Sequence, residues 1–223
     1  MFADLLDYLK KNLPQKIKDG GYNSYEIFGK EAETPISDTI EEYLKSKSIT
    51  YTPHRAKNKN DFPDLEIEID GIKYALEHKA GICNNKGEAK TTAANDMGTI
   101  NAYPQKIEKY SDNIYCTFVK YSVLNDDTIR VEDIYFNKIY TFIGKGTGFK
   151  TQLQYREKDG NLRPKNWKEM SDGIIYFKSL SDFKSALVET SRYRSERIVQ
   201  KHIDTLDTTS LKKIKTYINK KLK

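Results

Sequence analysis

The 223-residue chain has two cysteines, three histidines, one tryptophan and no long apolar run. Each scarcity excludes something. A membrane-spanning helix needs ~20 consecutive apolar residues, and no stretch here approaches that. Cys83 and Cys116 lack the paired spacing of a thiolate metal site or a disulfide framework. They read as buried or incidental thiols, reduced in the cell interior. The opening "MFADLLDYLKKNL" mixes acids and bases within an amphipathic pattern, unlike a signal peptide, so a cytoplasmic protein is expected. There is no internal repeat and no low-complexity segment.

Charge is what the sequence has in quantity. Charged residues make up 31% of the chain and hydrophobic ones 37%, with a net charge of +6, which suits a soluble protein with a polyanionic partner. The excess is local. Gly144 to Lys168 holds seven Lys/Arg against two acids, and Thr190 to the C-terminus ten against three. The C-terminal stretch also places Leu211, Ile214 and Ile218 at helical spacing, so a docked helix with solvated lysines accounts for it equally well. The sixteen tyrosines suggest amphipathic packing at interfaces, and none is assigned to base stacking.

Periodicity and turn signals predict helices near 2–18, 35–47, 98–110, 181–203 and 208–221. Strands are expected near 49–53, 64–69, 72–79, 113–123, 129–136 and 174–178. This order implies one domain of α/β (α+β) class, a mixed central sheet flanked by helices. Its core spans about 30–180, with terminal helical segments at 1–20 and 181–223.

The most informative stretch is "NDFPDLEIEIDGIKYALEHKAG". Asp70-Gly71 between two alternating runs signals a two-residue type I′ hairpin. That turn pairs Leu65 with Leu76, Ile67 with Tyr74 and Ile69 with Ile72 on one apolar face. The other face carries Glu68 with Lys73, Glu66 with Ala75 and Asp64 with Glu77. Directly opposed side chains have Cβ atoms roughly 4.5–5.5 Å apart, where like charges repel. A cation is therefore required between Asp64 and Glu77, and Lys79 shares their face because the strand period is two. Two acids can serve Mg²⁺, which takes oxygen ligands and often only one or two protein carboxylates. A solvated hairpin face with incidental charges remains the ordinary alternative.

At these residues the chain resembles the PD-(D/E)XK nucleases. Pro63-Asp64 looks like the "PD" element and Glu77-His78-Lys79 like "(D/E)XK". The resemblance implies that Asp64 and Glu77 bind Mg²⁺ and that Lys79 lies beside the attacking water and the scissile phosphate. His78, the variable position, is expected to pack in the core. Many members carry a further glutamate on the preceding helix. Glu33, on the face of Ile36, Ile40 and Leu44, is the first choice and Glu31 the second, while Glu41 and Glu42 belong to the solvated face. Pro35 suits the first helical position. The resemblance also implies an α-β-β-β-α-β core.

Two segments look suited to reading DNA. In "NDMGTINAY", Asn95, Thr99 and Asn101 are polar candidates, and the segment resembles the one after the catalytic lysine in blunt-cutting restriction enzymes of the EcoRV and HincII type. A capped flexible loop is the alternative. In "GKGTGFKTQLQYREKDGNLRPKNW" the Gly-x-Gly-x-Gly lacks the Lys-Ser/Thr of a phosphate-binding loop. The stretch more closely resembles a recognition loop of the same enzymes. Lys145, Lys150, Thr151, Gln152 and Gln154 are candidates for base edges, and Arg163 and Lys165 for phosphates.

The expectation is a type II restriction endonuclease cutting both strands of a short palindromic duplex site with Mg²⁺. Symmetric half-sites call for a homodimer, and a cognate methyltransferase would protect host DNA without having to bind. The alternatives are a repair or junction-resolving nuclease of the same fold, or a non-catalytic DNA-binding protein.

Overall fold

The computed structural model of the chain describes residues 2–22, 28, 31–58, 61–93, 95–147 and 152–221. Six helices and six strands are named among them: α1 Leu5–Asp19, α2 Glu33–Ser46, α3 Tyr103–Tyr110, α4 Trp167–Ser171, α5 Leu180–Asp204 and α6 Thr208–Lys221, with β1 Thr52–Arg55, β2 Leu65–Ile69, β3 Ile72–Asn85, β4 Glu88–Ala89, β5 Ile114–Val123 and β6 Ile129–Lys138. The main sheet runs β1-β2-β3-β5-β6, with β4 hooked onto β3.

The hairpin forms in the register expected from its turn. Leu65 faces Leu76, Ile67 faces Tyr74 and Ile69 faces Ile72, and both Asp70 and Gly71 have positive φ, 51° and 76°, as a type I′ turn demands. The apolar face is buried at its root, where Leu65, Ile67 and Leu76 are fully covered, and opens at its tip, where Ile72 is 49% exposed. β3 then runs on beyond the hairpin and pairs in parallel with β5. Parallel neighbours need a crossover, and α3 lies within it. β1 begins three residues later than the pattern suggested. It is an exposed edge strand, and Pro53 sits there because an edge position does not require its missing N–H.

The sheet separates two cores. On one face α1 presents Leu5, Leu9, Leu13 and Ile17, and α2 presents Ile36, Ile40 and Leu44, against Leu65, Ile67, Leu76 and Val119. On the other, Tyr103 and Ile107 of α3, Trp167 and Met170 of α4, and Phe183 of α5 pack on Ala75, Cys116 and Phe118. Each such side chain contributes roughly 1.5–3 kcal/mol on burial. Strand alternation sends Leu76 and Ala80 of β3 to the first face and Ala75 and Cys83 to the second. By the same period Glu77 and Lys79 share the α3 face.

Two expectations need correction. Residues 174–178 form no strand, although "IIYFK" has strand composition. The Ile174 N–H bonds the Glu169 carbonyl, its carbonyl accepts from Lys165, and only Phe177 of the run is buried, beside Phe183. The helix expected over 98–110 is a 3₁₀ turn at Ile100–Ala102 followed by α3. Pro35 lies two residues inside α2, within the first turn, where no N–H is needed.

Candidate active site

Three elements converge where β3 leaves the hairpin. Asp64 enters β2, Glu77 and Lys79 stand on β3, and Glu33 opens α2. Lys79 Nζ lies 2.6 Å from Glu77 Oε1, with both side chains largely buried. Asp64 Oδ2 accepts the backbone N–H of His78 at 2.6 Å. This bond ties the first acid to the strand that carries the second.

The electrostatics follow from burial of like charges. Burial pushes the Asp64 carboxyl up, opposed by the Lys79 charge and the His78 N–H. Glu33 is raised by burial and then by the negative charges of Asp64 and Glu77. Burial works against the Lys79 ammonium, but Glu77 and Asp64 outweigh it and hold the charge firmly. Glu77 Oε2 is buried and accepts no hydrogen bond among the described residues. An orphaned carboxylate oxygen beside a second buried acid fits a hard divalent cation, which would bind both. No cluster of three or more His, Cys, Asp or Glu close enough to share a metal is present among the described residues. A Mg²⁺ site needs no more than one or two protein carboxylates, so the pair remains a sufficient donor set.

A cavity of about 200 Å³ opens here, lined by Ala32, Glu33, His78, Lys79, Ala80, Asn95 and Asp96. Glu33, Lys79 and Asn95 are thus brought together, while Glu31 is exposed and outside the lining. His78 is 2% exposed. Its Nε2 lies 3.1 Å from Ser37 Oγ on α2, and burial drives its pKa down to about 3. It packs as a neutral core residue.

The two stretches singled out for DNA reading meet at the cavity's rim. Met97 N–H donates to the Leu162 carbonyl and Leu162 N–H to the Gly98 carbonyl, both at 2.9 Å, and Thr99 bridges Asn161. Asp96 takes Arg163 on one oxygen at 2.5 Å and Arg156 on the other at 2.8 Å. Arg163 therefore stands beside the cavity, paired with an acid. Asn95 Nδ2 bonds the Ala80 carbonyl at 2.8 Å, fastening the loop to β3.

Other candidates lie further out. Asn101 is exposed and borders a hollow shared with Leu187 and Arg192 of α5. Lys145 and Gln154 are exposed, and Gln152 is exposed and bonded to Glu189. Lys150 and Thr151 lie outside the described residues. Lys165 is a correction. It is 4% exposed, its ammonium donates to the Ile174 carbonyl, and burial lowers its pKa. It is placed as an internal tie and not as a surface phosphate contact.

The model of the NgoBV restriction endonuclease family matches residues 33–223. The chain belongs to that family. Family membership makes the chain a site-specific deoxyribonuclease of the type II restriction class, and it includes both the β3 site and the basic C-terminal helices. Among solved structures, NlaIV restriction endonuclease superposes with a TM-score of 0.59 at 18% identity, covering 92% of this chain and 90% of that one. Identity that low speaks for the fold alone, a mixed sheet flanked by helices. No curated protein sequence matches.

One feature of the site was missed in the sequence. Lys106 of α3 carries an ammonium whose charge is coupled to those of Glu77, Lys79 and Asp64. Its position one helical turn after Tyr103 was the available signal, but only the fold of the crossover brings that turn over the acids.

Proposed function

We propose that this family member is a PD-(D/E)XK enzyme that hydrolyses both strands of a short palindromic DNA site with Mg²⁺. The observation that carries this reading is the largely buried Glu77–Lys79 ion pair, whose lysine also feels the Asp64 charge and lines a cavity shared with Glu33, Asn95 and Asp96, the last of which holds Arg163 of the second candidate recognition segment.

Asp64 and Glu77 would hold the cation, which when bound supplies charge stabilisation for the phosphate and a more acidic water. Lys79 would orient the attacking water and stabilise the negative charge that grows on the pentavalent phosphorus. The lysine is suited to this because its neighbours keep it protonated. Glu33 is the additional carboxylate at the cavity wall. Asn95, Thr99, Asn101, Lys145, Gln152 and Gln154 lie on the surfaces that would meet base edges, with Arg163 turning to a phosphate. Lys150 and Thr151 complete that set by sequence.

A palindromic site has two equivalent halves, so a two-fold dimer is the assembly that reads it. A cognate methyltransferase would protect the host DNA, and the cytoplasm is where both would act. No helix among the described residues is long and apolar enough to cross a membrane. The resemblance of the loop after Lys79 to the EcoRV type favours cuts near the centre of the site and blunt or nearly blunt ends.

Digestion of plasmid DNA of known sequence with Mg²⁺, followed by sequencing of the ends, tests this reading. Discrete fragments sharing one short palindrome are expected. Nicking that follows DNA shape instead of sequence would overturn it, and four-nucleotide overhangs would remove the EcoRV comparison alone.

A further inference from the structure

Lys106 sits on α3, above the sheet face that carries Glu77 and Lys79. Its ammonium lies 3.5 Å from the centroid of the Phe62 ring, two residues before Asp64, and 5.2 Å from that of Tyr103. On its third side is Gly98, two residues past Asp96, where a Cβ would come within 3.1 Å of the Lys106 nitrogen. Gly98 has a φ of 90°, so this close approach occurs at a position where only glycine is unstrained.

The ammonium is therefore bracketed by the stretch that delivers Asp64, by the loop at the cavity rim and by α3. It forms no hydrogen bond or ion pair among the described residues, and its partners there are the two aromatic faces. Lys79, by contrast, is committed to Glu77. Lys109, one helical turn beyond Tyr103's neighbour Lys106, reaches Glu66 at 2.9 Å. A cation drawn partly out of water normally finds a carboxylate, and Lys106 faces two without pairing to either. An aromatic face holds a cation in place at modest energy and leaves its N–H donors free for an incoming anion.

We propose that Lys106 is a further catalytic residue, its ammonium donating to a non-bridging oxygen of the phosphodiester that is cut. This rests on the assignment of Asp64, Glu77 and Lys79 as the nuclease centre. The division of labour follows from the pairing: Lys79, locked to Glu77, serves the water side, and Lys106, free at its tip, takes the phosphate. Burial lowers the pKa of Lys106, Glu77 and Asp64 support its charge, and the nearby Lys79 ammonium opposes it. Lys106 is partly covered, and a contact made away from bulk water is electrostatically stronger than one in it.

The test is a thermodynamic cycle on the mapped recognition duplex. Wild type and K106M are each measured for binding to the native duplex and to one carrying an uncharged methylphosphonate at the cleaved linkage, with Ca²⁺ in place of Mg²⁺. K106M should bind the native duplex about tenfold more weakly. It should show no further loss on the methylphosphonate duplex, because the charge that Lys106 contacts is already gone. Cleavage by K106M with Mg²⁺ should fall by about 10²–10³-fold, and K106R, which keeps the charge, should recover part of both losses.

Losses from the two changes that simply multiply would show that Lys106 does not touch that phosphate and would overturn the proposal. If K106M melts far below wild type, K106Q, which keeps a polar tip, goes through the same cycle with the same two outcomes. Asp64→Ala separates the two assignments. A cleaving Asp64→Ala protein means the nuclease centre is misplaced, whereas an inactive one with an additive Lys106 cycle means only this inference fails.

Discussion

Glu66 offers a quantitative check on how the hairpin is held to α3. The side chain is 7% exposed and accepts from Tyr110 Oη at 2.5 Å, from Lys109 at 2.9 Å and from Lys73 at 3.0 Å. Burial alone would raise its pKa, yet the Tyr110 hydroxyl and the two ammonium groups lower it from 4.5 to about 2. Because the folded pKa lies below the unfolded one, the unfolded chain binds the proton first as the pH drops. The stabilisation is thus complete above about pH 4.5 and is lost as the pH falls towards 2. A displacement of that size corresponds to about 3 kcal/mol at full strength. The two lysines are about half exposed, so solvent screening brings the expected figure to about 1–2 kcal/mol.

Glu66→Gln should therefore lose about 1–2 kcal/mol at pH 7 in urea unfolding, and the gap to wild type should shrink steadily below pH 4.5, to about half or less by pH 3, and vanish only towards pH 2. Comparing the two proteins at each pH cancels the titration of His78, which lowers the stability of both below about pH 6.5. A gap of constant size from pH 7 to pH 3 would show that Glu66 titrates normally and would refute the reasoning.

Three further outcomes are expected. Gly81→Ala should destabilise the protein by about 1–3 kcal/mol, read as a drop in melting temperature, because the new Cβ would lie 2.7 Å from Ala93 Cβ and 2.8 Å from the Trp167 ring. Lys79→Ala should abolish cleavage while retaining most of the affinity for the recognition duplex in a gel-shift titration, since one charge among many phosphate contacts matters more to the transition state than to binding. Asp96→Asn frees Arg163 from its acid while Arg156 keeps Asp159, so it should tighten binding to random-sequence DNA and steepen its salt dependence; unchanged non-specific affinity would show that Arg163 faces no phosphate.

The parts of the fold legible in the sequence were those fixed by local chemistry. Asp70-Gly71 sets the hairpin register, because a two-residue turn leaves no freedom in which residues face each other. Period-two alternation then puts Glu77 and Lys79 on one face, and the stripe of Ile36, Ile40 and Leu44 orients α2 with Glu33 at its start. What was not legible depends on contacts distant in sequence. Lys165 has the composition of a surface residue, and only the carbonyl of Ile174, turned inward by a loop, gives its ammonium a buried partner. The "IIYFK" run has strand propensity but finds no neighbouring strand. Lys106 carries no motif at all, and its place above the acids arises from the crossover between two parallel strands. Likewise, the docking of the 95–99 loop on 161–163 follows from tertiary pairing that neither segment announces.

Glu77 is the residue on which the account turns, since it pairs with Lys79 through one oxygen and leaves the other buried and unsatisfied. The decisive measurement is the single-turnover rate of Mg²⁺-dependent cleavage of the mapped duplex by Glu77→Ala against wild type, with circular dichroism to verify the fold. Loss of cleavage by about 10³-fold or more with an unchanged spectrum is predicted. A folded Glu77→Ala protein that cuts within about threefold of the wild-type rate, well short of one lost transition-state contact, would contradict the assignment of this site.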